Sequence, residues 1–228
     1  MVALWMGCRG FLATTGTEDG PNPDPTTDVA GVPVWHRDFA PLDGIRRWNY
    51  AAVDGAVPYL LIGSNRATDT IPADGVYTLD FDTDCIDDTV ICVGSERIRS
   101  YDISNTEEGG LLVHHWQAGS FSETYDPPLQ LAAPNMAVGD EILEIVNGDT
   151  WTTSLVATMD CGEVSSLGGG ITCVHLRAEN SSGGGLAMAG EWYFAEGVGL
   201  ARHDLDYETG TVWELDTSIC LAGCDGVW

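Results

Sequence analysis

Five aspartates, Asp80, Asp82, Asp84, Asp87 and Asp88, crowd one short stretch of this 228-residue chain, and Cys85 and Cys92 bracket part of it. Hard carboxylate oxygens converging on a constrained loop are the donor set of an extracellular calcium site, with Asp82, Asp84, Asp87 and Asp88 as the candidate ligands. The glycine and distal glutamate of a true calcium loop are missing, so a solvated acidic turn competes with the metal reading, and no other cofactor is indicated. The seven cysteines fall as Cys8 alone and three close pairs. Nearest-neighbour pairing gives Cys85–Cys92, Cys161–Cys173 and Cys220–Cys224, one of fifteen connectivities open to six thiols, and such a framework forms in an oxidising compartment. Zinc held by Cys220 and Cys224 would need two further ligands at suitable spacing, which the sequence does not offer.

No other residue set reads as catalytic. The five histidines are His36, His114, His115, His175 and His203. His114 and His115 are strand neighbours expected on opposite faces, unable to share a metal. His175 alternates with apolar residues and reads as a half-buried, hydrogen-bonded side chain. Gly-x-Ser-x-Gly, His-Glu-x-x-His and phosphate-loop patterns are absent. An enzyme is therefore not expected; a secreted hydrolase is kept only as a remote alternative.

The elements that would position these residues are strands. Alternating or β-branched runs recur at Trp48–Val53, Val57–Ile62, Gly75–Phe81, Val90–Gly94, Arg97–Ile103, Leu111–Gln117 and Phe121–Tyr125. They continue at Glu141–Val146, Trp151–Met159, Ile171–Ala178, Glu191–Ala195, Val198–Leu205 and Thr211–Leu215. Spacing of about eight to twelve residues, with Gly, Asp, Asn or Pro between runs, predicts an all-β fold. The alternatives are a single curved antiparallel sheet (half-barrel) and a related sandwich or barrel, with little or no helix. Pro127-Pro128 is expected to end a strand. Gly197 and Gly199, flanking Val198, are expected at a bulge or turn requiring positive φ.

The chain divides by composition. Residues 1–10 pair a short apolar run with Cys8 and read as the remnant of a lipoprotein signal with Cys8 as the acylated tether. Residues 11–31 are an acidic, Pro-rich linker, and residues 32–228 a single β domain. No run approaches the ~18 apolar residues of a membrane helix, so membrane contact is expected only through the amino-terminal anchor. The formal net charge of −26, with nine arginines and no lysine, excludes nucleic acid as a partner, since that affinity rests on basic side chains neutralising phosphates.

Four strings in order carry a resemblance: Phe39-Ala-Pro-Leu-Asp-Gly-Ile-Arg-Arg-Trp-Asn-Tyr50, Tyr101-Asp-Ile-Ser-Asn-Thr-Glu-Glu-Gly-Gly-Leu-Leu112, Tyr125-Asp-Pro-Pro-Leu-Gln-Leu-Ala-Ala-Pro-Asn-Met-Ala-Val-Gly-Asp140 and Glu191-Trp-Tyr-Phe-Ala-Glu-Gly-Val-Gly-Leu-Ala-Arg202. Together they resemble a group of bacterial exported β-sheet lipoproteins of unassigned function, related to the half-barrel carriers of the lipoprotein-localisation pathway. The resemblance implies a curved sheet whose concave face holds an apolar ligand. It supplies no catalytic residues, and the body cysteines and missing helices depart from those carriers.

The function expected is a non-enzymatic, envelope-anchored binding protein for an apolar or lipid-like molecule or another envelope component. It would sit at the outer membrane, cell surface or periplasm, with Trp48, Tyr50, Trp192 and Phe194 as candidate ligand-lining residues. A structural or adhesive surface protein on a flexible stalk is the alternative. Oligomeric state is not legible.

Overall fold

A computed structural model describes residues 39–40, 45–53, 59–66, 75–85, 97–163, 165, 167, 169–182, 188–206 and 211–222. By internal contacts the chain divides into two units, Met1–Gly31 and Val32–Trp228, and every described residue belongs to the second. Cys8, the linker, the Cys85–Cys92 and Cys220–Cys224 pairings, Asp87 and Asp88 lie outside the described residues, as does the carboxylate of Asp84.

The described residues form twelve strands: β1 (Ile45–Ala52), β2 (Tyr59–Arg66), β3 (Tyr77–Cys85), β4 (Arg97–Thr106), β5 (Gly110–Ala118), β6 (Phe121–Ala132), β7 (Glu141–Val146), β8 (Asp149–Asp160), β9 (Thr172–Asn180), β10 (Gly190–Ala195), β11 (Gly199–Leu205) and β12 (Trp213–Ala222). They make one antiparallel sheet, nearly closed into a barrel, with no α-helix among them. The sheet order, β6-β5-β4-β3-β2-β1-β12-β11-β10-β9-β8-β7, is a meander in which, β6 and β7 apart, each strand is hydrogen-bonded to its sequence neighbour. β1 closes onto β12 through eight paired residues, so the usual joint of a meander barrel is sealed. The one unladdered junction falls in mid-chain, between β6 and β7.

Curvature comes from bulges. Register shifts occur at Asn49/Tyr50, Phe81/Asp82, Asp102/Ile103, Leu155/Ala157 and Tyr193/Phe194. An extra residue on one strand bends it and sharpens the local twist, which a flat ladder cannot do. The Gly197 and Gly199 expectation is met, with φ of 73° and 102° at the β10–β11 turn. The Pro127-Pro128 expectation is not: β6 runs through the pair to Ala132. The prolines lie between Thr124 and Leu129, where the ladder to β5 skips, so their missing N–H groups interrupt pairing without ending the strand.

Inward side chains follow the two-residue period and form a core rich in aromatics. Phe81 meets Tyr101 edge-on at 5.9 Å, and Tyr101 meets Trp192 edge-on at 5.9 Å, so β3, β4 and β10 are linked through the interior. Such pairs contribute about 0.5–1.5 kcal/mol each beyond their burial.

Candidate functional site

The concave side of the sheet holds a partly open cavity of about 40 Å³, lined among others by Trp48, Tyr50, Trp192, Phe194, Leu131 and Leu200. All four aromatics singled out from the sequence thus face one space. The polar tips of Trp48, Tyr50 and Trp192 are engaged in bonds to backbone carbonyls. The Trp48 indole N–H donates to the Val198 carbonyl (2.8 Å), the Tyr50 hydroxyl to the Leu200 carbonyl (2.9 Å) and the Trp192 indole N–H to the Met188 carbonyl (3.0 Å). The Val198 and Leu200 carbonyls flank Gly199, where a Cβ would lie 3.5 Å from the Trp48 ring. The wall left to a ligand is therefore hydrocarbon and aromatic face. It can shelter an apolar group, and the Trp48, Tyr50 and Trp192 donors are already engaged by backbone carbonyls.

Beneath this aromatic layer lies a polar cluster that the sequence reading missed. Arg99 (β4) and His203 (β11) are each 1% exposed, with the Arg99 guanidinium 3.0 Å from His203 Nε2 and 4.8 Å from the Phe81 ring centre. Tyr50 packs edge-on to His203 at 5.7 Å. Burial, and then the neighbouring Arg99 charge, hold the His203 imidazole neutral, well below its ordinary pKa. Burial likewise drives the Tyr50 hydroxyl far above its usual range. The signal was present in the alternation: Arg99 shares parity with Tyr101 and Ile103, and His203 with Ala201 and Leu205, so both belong on the inward face.

The histidine pair also corrects the sequence reading. In β5 the buried Val113 and Trp116 are separated by two half-buried residues, His114 and His115. Ile103 pairs with Val113 but Asp102 pairs with His115, which makes His114 the extra residue of a bulge. The bulge breaks the alternation, and both imidazoles fall on the outer side. His114 Nε2 lies 2.8 Å from Ser104 Oγ; His115 Nδ1 lies 3.4 Å from Asp102, whose other oxygen accepts from the Thr78 hydroxyl (2.8 Å). The Ser–His contact and the His–carboxylate contact thus involve different histidines, and Ser104 is only 4% exposed. That is not the relay a hydrolase needs.

His175 is hydrogen-bonded on the outer wall, where Nε2 meets the Glu191 carboxylate and the ring stacks on Tyr193 at 4.3 Å. Arg202 covers Tyr193 from 5.5 Å and pairs with Glu214 at 3.0 Å, while Arg177 makes a two-pronged contact with Asp206 at 2.9 and 3.1 Å. These cross-strand pairs fill the outer face of β9 to β12 and, among the described residues, leave no free aromatic platform there.

Of the candidate calcium ligands only Asp82 has a described side chain; it is half-buried on β3. Among the described residues no three His, Cys, Asp or Glu side chains are placed to hold a metal. Cys161 and Cys173 are joined across the β8–β9 connection with Cα atoms 4.9 Å apart. Asp160 secures the same loop, accepting the Gly162 and Gly170 N–H groups at 2.8 Å each, bonds that hold its carboxyl below the usual range.

No family model, curated protein or solved structure matches the chain, so its sequence motifs and the geometry above are what bear on function.

Proposed function

We propose that the chain is an exported, non-enzymatic binding protein that takes an apolar or lipid-like group into the barrel interior. The observation that carries this reading is the cavity wall: four aromatics and surrounding aliphatic residues, with every nearby indole and phenol donor just described committed to a backbone carbonyl. Such a lining recognises shape and apolarity, rejects polar substrates and supplies no acid, base or nucleophile. The Cys161–Cys173 bond supports maturation in an oxidising compartment, and Cys8 with its acidic linker supports a tether.

Size constrains the reading. A volume of about 40 Å³ admits a group of a few carbon atoms, whereas pockets for whole ligands are typically about 300–1,000 Å³. An alkyl chain must therefore displace side chains or widen the barrel. Titration with the neutral fluorophore N-phenyl-1-naphthylamine tests the proposal. Saturable one-to-one binding is expected, weakened about tenfold by the cavity-filling Leu200→Phe, roughly the effect of 1.4 kcal/mol. Absence of saturable binding by folded protein would overturn the interior site.

A second reading, a structural or adhesive surface protein, is favoured by one specific feature. Leu143 and Ile145 on β7 are 71% and 72% exposed on one face of the strand, and Val156, farther along β8 beyond the end of the β7–β8 ladder, is exposed as well. Outward apolar side chains on an otherwise strongly acidic protein suit contact with another surface. Replacing Leu143 and Ile145 by Thr leaves fluorophore binding intact on the first reading and abolishes attachment to cell-envelope preparations on the second.

A further inference from the structure

The geometry points to the β6–β7 junction as a line along which the barrel opens. Every other pair of neighbouring strands is held by a backbone ladder; these two are held by side chains. Glu144 Oε2 (β7) accepts the Gln130 backbone N–H (β6) at 2.8 Å. The Asn147 side-chain amide, just after β7, donates to the Thr124 carbonyl at 2.8 Å and to Glu123 Oε1 at 3.1 Å. Behind these bonds an aromatic contact spans the gap, Tyr125 (β6) edge-on to Trp151 (β8) at 6.0 Å. Between the two latches lie Pro127 and Pro128, which have no N–H to offer a ladder. Among the described residues, three side-chain hydrogen bonds and one ring pair cross the seam in addition to core packing, with no ladder, against eight paired residues at the β1–β12 joint and two at β11–β12.

Two further features fit an opening at this place. Among the described residues, five of the six exposed large apolar side chains (Phe121, Val138, Leu143, Ile145 and Val156) belong to β6, the β6–β7 connection, β7 or β8. Leu131, on β6 three residues past the prolines, already lines the inner cavity, so parting β6 from β7 joins the apolar exterior to the apolar interior. The opening rests on the proposed apolar-ligand function for its purpose, as the entry for an alkyl chain too large for the cavity of about 40 Å³. The motion itself is independent of any ligand and is tested without one.

The test is residue-resolved hydrogen exchange of the indole N–H groups by NMR. Trp151, in ring contact across the gap with Tyr125, and Trp116, whose N–H donates at 3.3 Å to the same Glu123 that accepts Asn147, report the seam; Trp48, bonded to Val198 at the β10–β11 turn, is the reference. In the unaltered protein, low urea that accelerates Trp48 exchange should leave Trp151 exchange nearly unchanged, because a local opening exposes little surface compared with global unfolding. Combining Glu144→Leu with Asn147→Gly removes both latches while a glycine keeps the positive φ of 54° at position 147. Exchange at Trp151 and Trp116 is then expected to rise about tenfold with Trp48 changed by less than about twofold. Equal urea dependence at Trp151 and Trp48, or equal acceleration of all three, would overturn the proposal. Seam-local exchange in a protein that fails to bind the fluorophore would leave the opening standing and remove the ligand.

Discussion

Single atoms decide several positions in this barrel. Gly110, with φ of 71°, has no room for a side chain: a Cβ there would lie 2.1 Å from the Ala132 carbonyl oxygen, and at Gly190 one would lie 2.4 Å from that of Asp204. Either glycine replaced by alanine should cost about 3 kcal/mol or more in urea unfolding, since backbone on both sides of the clash must move. Tyr50→Phe should cost about 1 kcal/mol, the loss of one buried hydrogen bond to Leu200. His203 sets a pH dependence. Its folded pKa is depressed well below 6.5, so the unfolded chain binds a proton that the folded chain refuses. The stability it contributes is complete above about pH 6.5 and is lost as pH falls below that value, by at most about 1.4 kcal/mol per pH unit. Unfolding curves between about pH 7 and 5 should show this slope, and His203→Gln should flatten it. An unchanged slope in the variant would mean that His203 is not the group responsible.

At the scale of elements, the Cys161–Cys173 bridge ties the ends of β8 and β9 across a short connection also held by Asp160. Replacing both cysteines by alanine should lower stability by about 2–3 kcal/mol, as expected for a loop of this length, with unfolding still cooperative because the β8–β9 ladder persists. Many of the described strands were legible, while the run expected at Val90–Gly94 lies outside the described residues. Runs such as Glu141–Val146 and Glu191–Ala195 match β7 and β10 closely, because alternation and turn residues are local signals. What local signals do not carry is a bulge. The extra residue His114 placed two histidines on one side where strict alternation would separate them, and the skip around Pro127-Pro128 let β6 continue. Closure through β1 and β12 pairs residues from opposite ends of the domain, such as Arg47 and Ile219, and no short-range pattern encodes it. Of the candidate site, Trp48, Tyr50, Trp192 and Phe194 were recognisable as a set from their motifs. Arg99 and His203 were not, because charged and titratable residues are rarely assigned to a core, even when their parity demands it.

Over the whole molecule, the charge balance is strongly one-sided. A net −26 on 228 residues repels itself in the folded state more than in the expanded chain. Raising sodium chloride from about 0.01 M to 0.5 M shrinks the Debye length from about 30 Å to below 8 Å, so the melting temperature should rise across that range. A flat response would show the carboxylates to be locally compensated, as Arg177 compensates Asp206. The same charge disfavours anionic lipid surfaces against the outer wall, and the proposed site for an apolar molecule is the hydrocarbon- and aromatic-lined part of the interior. The most direct measurement of that central claim is native mass spectrometry of the folded chain with uncharged alkyl ligands graded in length. One equivalent should bind, with affinity rising by about 0.8 kcal/mol for each added methylene until the interior is filled and then levelling. Affinity that does not depend on chain length, or no one-to-one complex at any length, would contradict it.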